Sequence, residues 1–164
     1  MTGKKLLFLF LALLLPVVIF IFLKTFGQNE FQVPVLHQDS IPARSSDCNI
    51  RYTTPYRIAD SVMARFGANG RDSLYVVYFG VSQRAAMTRI SVEFRGDPIS
   101  VVAGEEVMPA PQMQALKDCI LLMEKQTSIT IIDHKGRLRG YYDGSDRDEV
   151  DRLIVEMKIM LKKY

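Results

Sequence analysis

Two cysteines in 164 residues leave little room for thiol or metal chemistry, and their spacing narrows it further. Cys48 and Cys119 lie roughly seventy residues apart, so they form no Cys-x-x-Cys, and neither stands at a helix N-terminus where a thiol pKa would fall. Histidine is equally scarce. His37 and His134 have no Cys, His or carboxylate beside them at metal-ligand spacing, and both read as exposed loop residues. A Gly-rich phosphate loop, a Ser-His-Asp set and an HExxH motif are all missing, as are internal repeats and low-complexity tracts. An excess of one charge is missing too. Of 21 basic residues, Lys4, Lys5 and Lys24 flank the N-terminal apolar stretch, and all 18 acidic residues lie beyond residue 24, so the remainder is formally neutral. Nucleic-acid binding, which needs a concentrated basic surface, has no support.

What the chain does have is a long apolar run. Leu6 to Leu23 carries no charge, and at ~1.5 Å rise per residue it spans ~27 Å, about a bilayer's hydrocarbon core. The residues that follow, Lys24-Thr25-Phe26-Gly27-Gln28, offer no small-x-small cleavage site and no Cys for lipidation, so a retained anchor is expected rather than a cleaved signal. Pro16 is tolerated inside such a span. Two lysines precede the run and one closely follows it, which favours a cytoplasmic N-terminus and an exported C-terminal part. The expected division is 1–5 cytoplasmic, 6–23 transmembrane helix, 24–73 membrane-proximal and 74–164 core.

Residues 26–73 are broken by Pro34, Pro42, Pro55 and by turn formers such as Asp39-Ser40 and Ser45-Ser46-Asp47. Short strands and loops lying against the domain are expected, with Thr54–Asp60 an edge strand and Ser61–Phe66 a helical turn or two. Leu74–Phe79 is an almost continuous run of strand formers that suits a strand buried on both faces. Gln83–Phe94 reads as a helix, Pro98–Ala103 as a second buried strand parallel to the first, and Gln112–Gln126 as another helix with Met113, Leu116, Ile120 and Met123 on one side. Ser128–Asp133, the turn Asp133-His134-Lys135-Gly136 and Arg137–Tyr142 form a hairpin. Ser145 and Asp148 fit a capping box opening a last helix, whose Val150, Leu153, Ile154, Met157, Met160 and Leu161 recur at the helical period; Asp148 lies four residues ahead of Arg152, and Lys158, Lys162 and Lys163 suit its C-terminus. The order β-α-β-α-β-β-α, with helices on both faces of a mixed sheet, is an α/β arrangement of minimal thioredoxin-like type.

Asp133-x-x-Gly136-Arg137-x-Arg139-Gly140-Tyr141-Tyr142-Asp143-Gly144, followed by Asp148-Glu149-Val150-Asp151-Arg152-Leu153-Ile154, resembles the C-terminal end of the bacterial SCO/SenC family. The likeness is specific over about residues 128–157. It implies a thioredoxin-like, membrane-anchored lineage associated with copper delivery to cytochrome oxidase. Members of that family hold copper with a Cys-x-x-x-Cys after the first buried strand and a His shortly before the hairpin. Here those positions read Gly80-Val81-Ser82-Gln83-Arg84-Ala85-Ala86 and Lys125-Gln126-Thr127, so all three ligands are missing. Soft Cu(I) wants thiolate or thioether donors, which Ser, Gln and Lys do not replace.

The residues left for chemistry are few. Cys48 and Cys119 either pair as a disulfide in an exported compartment, or Cys119 is a small buried hydrophobe beside Ile120. Met108, Met113 and Met123 offer thioethers, but the last two sit on a core stripe. Asp143, Asp146, Asp148 and Glu149 are explained by capping and charging the last helix. No catalytic residue, metal site or cofactor is therefore expected. The preferred expectation is a non-catalytic binding or assembly factor for a respiratory membrane complex. The alternatives are a copper chaperone or thiol-disulfide oxidoreductase using Cys48 and Cys119, and a structural accessory subunit held by the anchor.

Overall fold

The computed structural model describes residues 3–26, 32–42, 48, 50–68 and 70–162. The turn expected at Ser45-Ser46-Asp47, the residues around Gly27 and Lys163 lie outside them. The chain divides into two compact units, Met1–Gln32 and Val33–Tyr164.

The first unit holds helix α1, Gly3–Phe26, with Pro16 inside it. Its Gly3–Thr25 stretch has a mean hydropathy of 3.3 and is long and apolar enough to cross a membrane.

The second unit is a mixed α/β structure built on one four-stranded sheet, order β2-β1-β3-β4. β1 (Leu74–Tyr78) runs parallel to β2 (Ile99–Ala103) and antiparallel to β3 (Ile129–Asp133), and β3 turns back into β4 (Leu138–Tyr142). β1 and β3 are the apolar, β-branched runs because they occupy the centre. The hairpin closes as expected through Gly136, whose φ of +72° suits glycine. β2 departs from expectation. All five of its residues are half-exposed, because it is the outer strand rather than a buried one.

Side chains alternate across β1 and divide the core in two. Leu74 and Val76 meet helices α3 (Arg84–Glu93) and α6 (Arg147–Met160) through Met87, Ile90, Val150, Leu153, Ile154 and Met157. The stripe read for the last helix is therefore the face that packs on the sheet, with Met160 and Leu161 at its partly buried end. Arg89–Asp151 and Lys158–Glu93 pairs tie the two helices together at the surface. On the opposite face, Tyr75, Val77 and Phe79 meet Tyr56, Ile58, Met63 and Phe66 from the chain before β1, together with Leu116, Leu121, Leu122 and Met123. The four residues from before β1 are part of the buried core on that face of the sheet.

Several local expectations change. Thr54–Asp60 is not a strand: Tyr56 N–H donates to His37 O and Ile58 N–H to Gly136 O, two isolated bonds to different partners. The helical turn beyond it is present as α2 (Asp60–Met63) and a 3₁₀ turn, Ala64–Phe66. α6 is capped by Asp146, whose side chain accepts from Asp148 N–H at 2.9 Å, and not by Ser145, which bonds to Asp143 Oδ1 instead. Arg152 pairs with Glu149 and Glu156 rather than with Asp148. The helix expected over Gln112–Gln126 breaks into a 3₁₀ turn Ala110–Gln112, α5 (Met113–Ala115) and a π turn Leu116–Ile120, and ends there.

Candidate functional site

In open α/β sheets, ligands gather beyond the carboxyl ends of parallel strands. Here that edge is the turn leaving β1. Gly80 takes a φ of +89° and donates its N–H to Glu105 Oε1 at 2.9 Å, and a 3₁₀ turn, Val81–Gln83, leads into α3. Beside it the Phe79 ring lies against Gly104, where an added Cβ would come within 2.1 Å of the ring, and Lys117 Nζ sits 5.1 Å from the ring centre. Gly104→Ala should accordingly cost about 1–3 kcal/mol by overpacking, read as a lowered denaturation midpoint with an unchanged slope.

The turn has the position of a reactive site and none of the groups. Ser82 Oγ is hydrogen-bonded by the Gln83 amide at 3.2 Å, and among the described residues no histidine or carboxylate activates it. Gln83 is buried, and its Oε1 has no hydrogen-bond partner among the described residues. Lys125, Gln126 and Thr127 precede β3, the first two exposed. A cleft of about 460 Å³ between the first turns of α3 and α6 is lined by Ala85, Ala86, Arg89, Ser145 and Arg147, with Arg89 committed to Asp151.

Cys48 and Cys119 are joined in a disulfide, Cα atoms 5.5 Å apart. Of the two alternatives for Cys119 the structure has the pairing, and the bonded residue is buried, 7% exposed. The bond lands where the predicted helix fails. Three successive carbonyls are each capped by a tyrosine: Tyr52 Oη donates to Cys119 O at 2.9 Å, Tyr56 Oη to Ile120 O at 2.7 Å and Tyr141 Oη to Leu121 O at 2.8 Å. A continuing helix would have used those carbonyls itself. Leu121 N–H reaches back to Leu116 O and Met123 N–H to Lys117 O, and Leu122 turns to φ +52°. Because Tyr141 gives its proton to Leu121, the contact at 3.0 Å from His37 Nε2 has the imidazole donating to the phenol oxygen. His37 is thus half-buried and engaged, not the exposed loop residue expected, whereas His134 is exposed.

The other candidates fall into structural roles. Met108 Sδ accepts from Arg65, Met123 is buried, and Met113 packs against the same core. Asp143 is held below the usual carboxylate range by hydrogen bonds from the Ser145 hydroxyl and N–H, Asp146 caps α6, and Glu149 pairs with Arg152. Among the described residues no group of three or more His, Cys, Asp or Glu is placed to hold a metal.

One cluster escaped the sequence reading. Asp133 is buried at the end of β3. Its Oδ1 accepts the N–H groups of Lys135 and Arg137, and its Oδ2 accepts Arg137 Nε at 2.7 Å and Arg139 at 3.2 Å. Burial pushes this carboxyl up, but hydrogen bonds from the Arg137 backbone and side chain and from Lys135, with the Arg137 charge, outweigh it and hold the pKa below the ordinary value. Arg139 also donates to Val33 O, tying the start of the second unit to the hairpin. The Asp-x-x-Gly-Arg-x-Arg spacing was the signal: one acid at a strand end facing two arginines of the returning strand. No family model, no curated protein and no solved structure matches this chain.

Proposed function

We propose that the chain is a membrane-tethered, exported thioredoxin-like protein of SCO/SenC type, acting as a non-catalytic binding or assembly factor in respiratory, cytochrome oxidase, biogenesis at a bacterial inner membrane. The observation that carries this reading is the turn after β1. Gly80-Val81-Ser82-Gln83 enters α3 without a thiol, and both cysteines of the chain are spent on one disulfide. Support for the thioredoxin-like part comes from a parallel β1–β2 pair beside an antiparallel β3–β4 hairpin, with α3 and α6 sharing one face. Support for the lineage comes from the motif beginning at Asp133, and support for the periplasmic side from the lysines flanking α1. Partner recognition is separable from a metal site on the same fold.

The pairing of Cys48 with Cys119 is the one observation favouring a second reading, thiol exchange or copper transfer through those residues. Against it, Cys119 is buried and, among the described residues, a reduced pair has no third histidine, cysteine or carboxylate ligand beside it. Titration of the reduced full-length chain with Cu(I) against a competing chelator is expected to leave copper with the chelator. Retention of one copper per chain, abolished in Cys48→Ser, would replace the proposed reading by the second. A crosslinking pull-down from membranes then identifies the partner, with oxidase subunits or their assembly factors expected.

A further inference from the structure

β4 has its outer edge covered: Leu36 N–H bonds to Leu138 O and Arg152 to Tyr141 O. β2, at the other end of the sheet, pairs only with β1 among the described residues. The direction of its peptide groups follows from its neighbours. Leu74 N–H donates to Pro98 O, whereas Phe79 N–H donates to Ser128 O, so Leu74, Val76 and Tyr78 face β2 and the residues between them face β3. Parallel pairing then turns Ser100 and Val102 toward β1 and leaves Ile99, Val101 and Ala103 facing outward. The Ile99 N–H is already taken by Asp97 O. The Ala103 carbonyl is the N-cap carbonyl of the helix Gly104–Val107 and accepts its first bond. What remains on the edge is the Ile99 carbonyl, both groups of Val101 and the Ala103 N–H.

We propose that this edge pairs antiparallel with the same edge of a second copy of the chain, about a two-fold axis at Val101. The outward groups are complementary to themselves under that operation. Val101 N–H meets the second copy's Val101 carbonyl and the reverse, and each Ala103 N–H meets an Ile99 carbonyl, so every remaining group is satisfied. A two-fold interface requires this self-complementarity. A strand from an unrelated protein would not. Within the strand itself, Ile99-Ser100-Val101-Val102-Ala103 contains no charge and no proline, is rich in β-branched residues and is half-exposed throughout, the charged Asp97 and Glu105 lying outside the five paired residues. Five paired residues make a small interface beside the ~1,600 Å² of a standard one. Association is therefore weak in dilute solution and strengthened where α1 confines both copies to one bilayer, a step that rests on the membrane reading above.

The test uses the full-length chain in lipid vesicles, with flotation reporting separately whether it is anchored. With the native disulfide intact, Val101→Cys adds one reactive thiol at the axis. A short bis-maleimide should link it to a species of twice the monomer mass, while Val92→Cys, exposed on α3, stays monomeric. Val101→Pro deletes an outward N–H and leaves the β1–β2 ladder, so it should keep most of the wild-type melt, losing only the packing of the Val101 side chain, and lose energy transfer between labelled copies. Ser100→Pro, whose N–H faces β1, should instead lower the melt. Linking at Val92→Cys equal to that at Val101→Cys, no linking at Val101→Cys, or energy transfer that survives Val101→Pro overturns the proposal. So does linking of Val101→Cys to a different protein in native membranes. If Val101→Pro fails to fold, the contrast between the two cysteine positions decides.

Discussion

Reduction of the Cys48–Cys119 bond should lower the melting temperature by roughly 10–20 °C. The bond closes a loop with a sequence separation of 71, and a cross-link of that span restricts the unfolded chain by about 4 kcal/mol in the chain-entropy account. Its position in the fold makes the effect local as well. It fastens Cys48 to the π turn beside the carbonyls that Tyr52 and Tyr56 cap. Cys48→Ser and chemical reduction of the wild type should therefore give the same loss, and adding reductant to Cys48→Ser should change nothing further. A wild-type melt indifferent to reductant would show that the three tyrosines and the apolar layer hold this stretch without the disulfide.

Asp133→Ala should cost about 3–5 kcal/mol, because removing one partner of a buried ion pair strands the other. Arg139 is 14% exposed and Arg137 28%, and the turn N–H groups of Lys135 and Arg137 lose their acceptor at the same time. The pH dependence has a definite sign. The folded-state pKa of Asp133 lies below its ordinary value of 3.8, so its contribution is complete above that pH and is lost as pH falls through the folded value. Wild type should accordingly lose stability more steeply than Asp133→Asn on acidification below about pH 4. Equal acid slopes in the two proteins would show that Asp133 is not the group whose protonation weakens the fold.

The parts of the fold that were legible in the residues are those held by local chemistry. The hairpin follows from β-branched runs meeting at Gly136, and α6 from a helical stripe with acids in its first turn, all within a few tens of residues. β1 was legible because a strand covered on both faces must be apolar throughout. β2 was misjudged from the same pattern. An apolar run records side-chain faces and is silent about whether a neighbour occupies the backbone edge. The Asp133 cluster is not legible from the turn alone, because the Asp133-His134-Lys135-Gly136 chemistry accounts for an aspartate there without the two arginines of the returning strand.

The amino-acid order by itself determined the apolar N-terminal helix, the alternation that builds a mixed sheet, and the inventory of donors, because each depends on residue type and near spacing. Tertiary structure alone decided where the helix after α4 (Gly104–Val107) ends, which tyrosines hold its open carbonyls, that Cys48 reaches Cys119, and that Tyr56, Ile58, Met63 and Phe66 join the core. The physical reason lies in the separation. Tyr52 and Tyr56 act on carbonyls 67 and 64 residues away, and a hydrogen bond of that reach exists only after the intervening chain has folded and its ordering cost has been met by burial elsewhere.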